Sequence, residues 1–346
     1  MGAFSDATLQ LINQQLQRRN DLLKAFAIKY KKTTWDGIQE QVKTGRASDY
    51  WNIGDLLTCN YTATNGTAYE MPWAVAGFRD VYWQNDDVPH PGMILQSVYG
   101  TPESVQFDAP EDWVVDSATE PTALEGWYYW GVTGNTYTAL NLSEGDTIPF
   151  GDYSSVHKCG INNLDVLRYG YNRYRDCGQR QWLESAAPAG EWWQSTHLGD
   201  KAPSQLAQIN GFQRGLDADF LAVINPVKIQ VATNTVTDGG VTDVMYDRFW
   251  LPSVEEVYGV PQAAGVEGNY FPYWKEKTGL SAPSNGNNNG RIIYGLENHS
   301  AAQIVRLRSA YRGSAYYAWY VGTYGNLSYG YYANYAFRAA PACVIS

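Results

Sequence analysis

The feature that most constrains this chain is its run from Arg306 to Ser346, RLRSAYRGSAYYAWYVGTYGNLSYGYYANYAFRAAPACVIS, where tyrosine recurs among Ser, Gly and Asn. Small residues punctuate it: Ala310, Ala315, Ala318, Ala333 and Ala336 stand between the tyrosines. Tyrosine gives a large, rigid, amphipathic contact at low entropic cost, and Ser, Gly and Asn add adaptable hydrogen bonding, as in antibody paratopes. Low-complexity tracts and hairpins with a solvated Tyr face share this composition. Leu307, Trp319, Val321, Leu327, Phe337, Val344 and Ile345, however, supply the regular apolar anchors a folded segment needs. The run therefore reads as a binding surface. Its candidate ligand contacts are Tyr311, Ser314, Tyr316, Tyr317, Tyr320, Tyr324, Asn326, Ser328, Tyr329, Tyr331, Tyr332, Asn334 and Tyr335.

Tyr, Ser, Gly and Asn are also what an Asn codon yields or keeps when its adenines are replaced. Each such position could descend from one Asn, which would leave an Asn-rich ribbon between fixed spacers. That pattern, flanked by RLRSA before and FRAAPACVI after, resembles the variable region of diversity-generating retroelement proteins. Phage members of that group include the major tropism determinant and related tail receptor-binding proteins. The resemblance implies an α+β, C-type-lectin-like domain, of the fold class shared with formylglycine-generating enzymes, over 141–346, with the variable region at about 306–338. Leu307, Trp319 and Phe337 would be its framework. It further implies a tail-fibre protein of the virion, assembled in the host cytoplasm and deciding host tropism. Its partners would be a bacterial cell-surface receptor, protein or glycan, and other tail proteins, with a homo-oligomer, a trimer by analogy, adding avidity. Two other readings stand beside it: a structural virion component whose Tyr-rich tail packs on a neighbour, and a bacterial adhesin, which needs an export signal.

The rest of the chain limits the alternatives. Its 346 residues exceed what one compact core usually holds. Hydrophobic residues make up 44% and charged ones only 17%, with 13 Trp and 27 Tyr, so a core is available and the surface is aromatic and amide-rich. A net charge of −10 disfavours nucleic acid and anionic membranes as partners. The start MGAFSDATLQ lacks a basic then apolar leader, and no stretch is long and apolar enough to span a bilayer. Four separated cysteines read as buried free thiols, with a Cys159–Cys177 bridge left open.

In chain order, 1–46 reads as a helical oligomerisation or docking segment. Leu9, Ile12, Leu16, Leu23, Phe26 and Tyr30 fall at spacings of three and four, interrupted at Arg19, after a Ser5 cap. An amphipathic helix packed on its own domain fits equally. Trp35 to Lys43 is a second helix with Trp35, Ile38 and Val42 on one face, stopped by Gly45. Residues 47–140 read as β-rich, with a turn at Thr64-Asn65-Gly66 and a linker at Ser104 to Leu124. An opening strand pair is expected at 141–161. A helix follows at Arg175 to Ser185, capped by Asp176, with Trp182 and Leu183 inward and Arg180 paired to Glu184. A second is expected over Pro203 to Val227 from the spacing of Phe212, Leu216 and Phe220. Val227, Ile229 and Val231 alternate as a strand, Ser253 and Glu256 form a capping box, and Ala282 to Gly290 reads as a surface loop.

No catalytic constellation, cofactor or metal is expected. His90, His157, His197 and His299 lack metal-ligand spacing, no phosphate-cradling loop occurs, and the acidic pairs Asp217/Asp219, Asp243/Asp247 and Glu255/Glu256 read as turns, helix faces and caps. Trp83-Gln84-Asn85-Asp86 only approximates a calcium-lectin triplet.

Overall fold

A computed structural model of the chain describes residues 6–110, 129–133, 136–139, 155–158, 169–196, 200–279 and 289–346. The Ser5 cap, the linker beyond residue 110, the expected strands at 141–154, Cys159, His197 and the loop at 282–288 lie outside these residues.

The chain opens with α1 (Asp6–Thr33) and α2 (Trp35–Lys43). Strands β1 (Leu56–Thr62), β2 (Ala68–Val81), β3 (His90–Ser97) and β4 (Ser104–Gln106) follow, then β5 (Tyr129–Thr133), β6 (Thr136–Ala139) and β7 (Ser155–Lys158). Two short helices, α3 (Gly178–Leu183) and α4 (Ala218–Val223), lead to β8 (Val227–Ala232), β9 (Thr242–Asp247) and β10 (Phe249–Trp250). After α5 (Val254–Tyr258) and α6 (Pro272–Thr278) come β11 (Ile293–Gly295), β12 (Asn298–Gln303), β13 (Val305–Ala310), β14 (Ala318–Val321), β15 (Leu327–Ser328), β16 (Ala336–Arg338) and β17 (Ala342–Ile345).

The architecture is mixed α and β. One antiparallel sheet runs β1-β2-β3-β17-β10, and a second runs β15-β14-β13-β16-β4 with a single parallel pair, β13 and β16. Among the described residues no sheet closes into a barrel. The last strand thus enters a sheet built from the 56–97 region, and β4 edges the sheet that carries the Tyr-rich run. Two pairings across more than two hundred residues hold the ends of the chain in one core.

Local sequence explains much of this. In β1, Leu57, Cys59 and Tyr61 alternate inward, and the turn at Thr64-Asn65-Gly66 closes as expected, with Gly66 at φ +83° and Asn65 Oδ1 accepting from Thr67 N at 3.0 Å. Helix α2 has the expected bounds. The Thr34 hydroxyl accepts from Gly37 N at 3.2 Å, Ile38 and Val42 are buried, Trp35 packs on Phe220 at 4.7 Å, and Gly45 turns left-handed at φ +70°. The core beneath is aromatic: Trp73 meets Phe220 and Phe249, and Phe212 packs edge-on against Phe249 at 5.3 Å. Each fully buried ring of this size contributes roughly 1.5–3 kcal/mol through lost apolar exposure. Strand β8 alternates as expected, with Val227, Ile229 and Val231 buried. The Ser253/Glu256 capping box is present, and Gly259 ends α5.

Several expectations are corrected. Ser104 to Gln106 is not linker but strand β4, with Val105 and Phe107 fully buried beneath it. The long helix over Pro203 to Val227 is absent: Phe212–Gly215 is a 3-10 turn, Leu216 bridges to Tyr61, and only Ala218–Val223 is α-helical. The cap of α3 is Cys177, whose thiol accepts from Arg180 N at 3.4 Å, while Asp176 faces Arg173 and Arg175. Cys177 is a buried free thiol, as are Cys59 and Cys343. Arg180 does not pair with Glu184. It grips buried Asp247, and Glu184 instead accepts from Arg248 N and Phe249 N. Asp243 and Asp247 are likewise not solvated but buried ion-pair partners. No helix among the described residues is long and apolar enough to cross a membrane.

Candidate binding surface

All six residues of β13 are buried, although Arg306 and Arg308 are among them. A buried guanidinium is costly unless its donors are met. Arg308 meets its Nη donors with an ion pair to buried Glu256, a bond to Leu251 O at 3.0 Å and one to Glu267 O at 2.6 Å, while its Nε finds no partner among the described residues. Arg306 turns instead toward the Tyr-rich run. Its Nη1 donates to Ala318 O at 2.8 Å and Tyr331 O at 3.3 Å, and its Nη2 donates to Tyr332 O. Burial pulls the Arg306 guanidinium down to about 9, still charged at neutral pH.

Asn172 grips the same run from the other side. Its amide nitrogen Nδ2 donates to Ser314 O at 2.6 Å and Tyr317 O at 2.7 Å, and its backbone N–H donates to Ala315 O at 2.8 Å. Asn234 orients it, donating to Asn172 Oδ1 at 3.1 Å. Gln179 reaches Phe337 O, Gln106 reaches Asn334 O, and the Tyr258 hydroxyl reaches Gly325 O. Each of these side chains holds the run by a main-chain carbonyl. The spacers Ala315, Ala318 and Ala333 are fully buried, where a larger side chain would not fit.

The tyrosines lie above this gripped backbone. Tyr311 stacks on Tyr329 at 3.9 Å, Tyr317 on Tyr332 at 5.2 Å, and Tyr331 packs between Tyr320, Tyr335 and Phe337. Through Tyr316 and the Tyr332–Tyr335 contact these rings form one continuous aromatic face. Tyr332, hydrogen-bonded to Tyr317, has its phenol pushed up to about 12.

The structure sorts the thirteen expected contacts. Tyr324 is 69% exposed and stands apart from the ring cluster, while Tyr329, Tyr331 and Tyr335 are exposed at 39%, 37% and 45%. Tyr311, Tyr316, Tyr317 and Tyr332 are half-buried within the ring cluster, and Asn326, Ser328 and Asn334 are half-buried as well. Ser314 and Tyr320 do not belong to the exposed set. Ser314 is 5% exposed and its hydroxyl accepts from Tyr316 N, and Tyr320 is 7% exposed beneath Tyr331. Of the expected framework, Leu307 is buried in β13, whereas Trp319 sits edge-on to Tyr311 and Tyr329 and so joins the face.

The chain belongs to the DUF6273 family. The model of that domain of unknown function matches residues 158–346. No curated protein and no solved structure matches the chain. The DUF6273 region contains the whole Tyr-rich face and the gripping residues Arg306, Asn172, Gln179 and Tyr258, whereas Gln106 and strands β1 to β4 of its two sheets come from the preceding residues.

Two residues of the DUF6273 region that sequence reasoning missed matter here: Tyr169 reaches the face, and Tyr171 joins the network that orients Asn172. Tyr169 stacks on Tyr332 at 3.9 Å, and its carbonyl accepts from Asn334 N at 2.8 Å. Tyr171 donates its hydroxyl to Asp238, which Asn234 also contacts at 2.9 Å. Burial and nearby Asp243 push the Asp238 carboxyl up to about 7. The signal was present: Tyr169-Gly170-Tyr171-Asn172 repeats the Tyr/Gly/Asn composition of the C-terminal run.

Elsewhere the chemistry is sparse. His90 pairs with Asp86 at 2.9 Å and stacks on Trp83 at 3.7 Å, which accounts for the Trp83–Asp86 stretch. Among the described residues, no three His, Cys, Asp or Glu side chains converge as metal ligands.

Proposed function

We propose that this chain is a phage virion receptor-binding protein, with a C-type-lectin-like C-terminal domain that displays a retroelement-diversified tyrosine surface toward the bacterial host. The observation that carries this reading is the way the Tyr-rich run is held. Arg306, Asn172, Gln179, Gln106 and Tyr258 bond its main-chain carbonyls, so the side chains above can change while those bonds remain. A surface meant to vary needs a backbone that does not depend on it. The small buried spacers serve the same end, since alanine contributes no side chain that could repack.

Binding energy on such a face comes from a few aromatic anchors and not from the whole patch. Tyr324, Tyr329, Tyr331 and Tyr335 are the most exposed and are the anchors of this reading.

A second reading has an observation of its own. The rings stack on one another, Tyr311 on Tyr329 and Tyr169 on Tyr332, as they would in a fixed packing surface of a structural virion component. DNA sequence decides between the two. Diversification requires, near the 3′ end of the gene, a near-copy of the Arg306 to Ser346 codons that differs almost only at adenines and lies beside a reverse transcriptase. A locus without such a copy, with the tyrosines unchanged in related genomes, would favour the structural component.

A further inference from the structure

Helix α1 is 28 residues long, about 42 Å at 1.5 Å per residue. From residue 10 to residue 24 every side chain on it is exposed, including Leu11 at 56%, Ile12 at 40%, Leu16 at 46%, Leu22 at 69% and Leu23 at 57%. Over this stretch the helix is therefore not packed on its own domain. That much leucine in water on one rod marks an interaction surface.

The sequence specifies what covers it. Leu9, Ile12, Leu16, Arg19, Leu23, Phe26 and Tyr30 alternate at three and four residues, the a and d positions of a heptad. Leu9, Leu16, Leu23 and Tyr30 are then a, and Ile12, Arg19 and Phe26 are d. The flanking e and g positions are Asn13, Gln15, Asn20, Leu22, Ala27 and Lys29, of which only Lys29 is charged. Arg18, Asp21 and Lys24 fall on the outer positions. In a parallel coiled coil the g residues of one helix face the e residues of the next, and here those pairs, Gln15 with Asn20 and Leu22 with Ala27, are uncharged, so they do not oppose the pairing of identical helices. They also leave no charge pattern by which a different helix would be selected.

We propose that α1 binds the α1 helices of further copies of this chain as a parallel coiled coil. Only Ile12 of the three d residues is Ile, so the a and d positions do not set the number of strands, and Arg19 at d, meeting its own copies in register, weakens the association. The parallel arrangement brings the bodies that follow Thr34 together at one end. With three heptads the association is modest and depends on concentration.

The test is sedimentation of the full chain between about 1 and 100 µM, a range over which a modest self-association responds to mass action. Wild type is expected to rise from 38.7 kDa toward a multiple of it. The variant Leu16→Glu/Leu23→Glu is expected to remain at 38.7 kDa throughout, with an unchanged near-ultraviolet circular dichroism spectrum. A wild type that stays monomeric, or a variant that still assembles, overturns the proposal. So does a variant that melts earlier at a concentration where wild type is monomeric, since the face would then be packed on the body.

Discussion

Arg306 Nη1 lies 2.8 Å from the carbonyl oxygen of Ala318, inside a strand whose six residues are all buried. Because the same guanidinium also reaches the carbonyls of Tyr331 and Tyr332, one side chain ties β14 to the far end of the tyrosine run. Replacing Arg306 by Ala should leave those acceptors buried without donors and cost about 3 kcal/mol, at roughly 1–3 kcal/mol for each unmet group after relaxation. Arg306→Lys should recover only part of this, since one ammonium does not reproduce the planar fork. Urea denaturation of both variants measures the difference.

Tyrosines of the run should divide sharply by depth. Tyr324→Ser removes a ring that is 69% exposed and should change stability by no more than about 0.5 kcal/mol, as exposed substitutions usually do. Tyr320→Ser removes one that is 7% exposed, over Arg306 and against Phe337, and should cost about 3 kcal/mol through the cavity it leaves. Paired thermal melts of the two variants are sufficient.

Stability should fall as pH rises through neutrality. Burial pushes the carboxyls of Asp238 and Glu267 up to about 7, above the 3.8 and 4.5 of the unconstrained groups. Between those values the folded chain holds protons that the unfolded chain has released. The stability from this source is therefore full below the unfolded pKa values and is lost as pH rises through about 7. Melting temperature followed from pH 5 to 8 should decline in wild type, and the decline should flatten in Asp238→Asn/Glu267→Gln.

What the sequence made legible was local. Helix α2 carried its apolar face and its Gly45 stop within eleven positions, and the Asn65-Gly66 turn and the Ser253/Glu256 box had equally short-range causes. The tyrosine face itself was legible from composition. What failed depended on distant partners. Arg180 and Glu184, four apart, suit a helix-surface pair, yet buried Asp247 offers Arg180 a stronger one. The spacing of Phe212, Leu216 and Phe220 mimics a helix, but Leu216 is extended against Tyr61, and Gly211 lies where a Cβ would be 2.4 Å from Ser185 O. RLRSA reads as a framework strand, and nothing local says that both its arginines are buried, because the carbonyls that hold Arg306 come from β14 and from Tyr331 and Tyr332, brought together only by the fold.

The central claim is that the exposed tyrosines bind a target while the gripped backbone beneath them carries the fold. Its most direct test is binding of the purified chain to host cells, compared between wild type and Tyr324→Ser/Tyr329→Ser/Tyr331→Ser/Tyr335→Ser. The account predicts at least a tenfold loss of binding, since losing more than about 1.4 kcal/mol from several aromatic anchors has that effect, with a melting temperature within a few degrees of wild type. Binding that survives the four substitutions in a folded chain would contradict it.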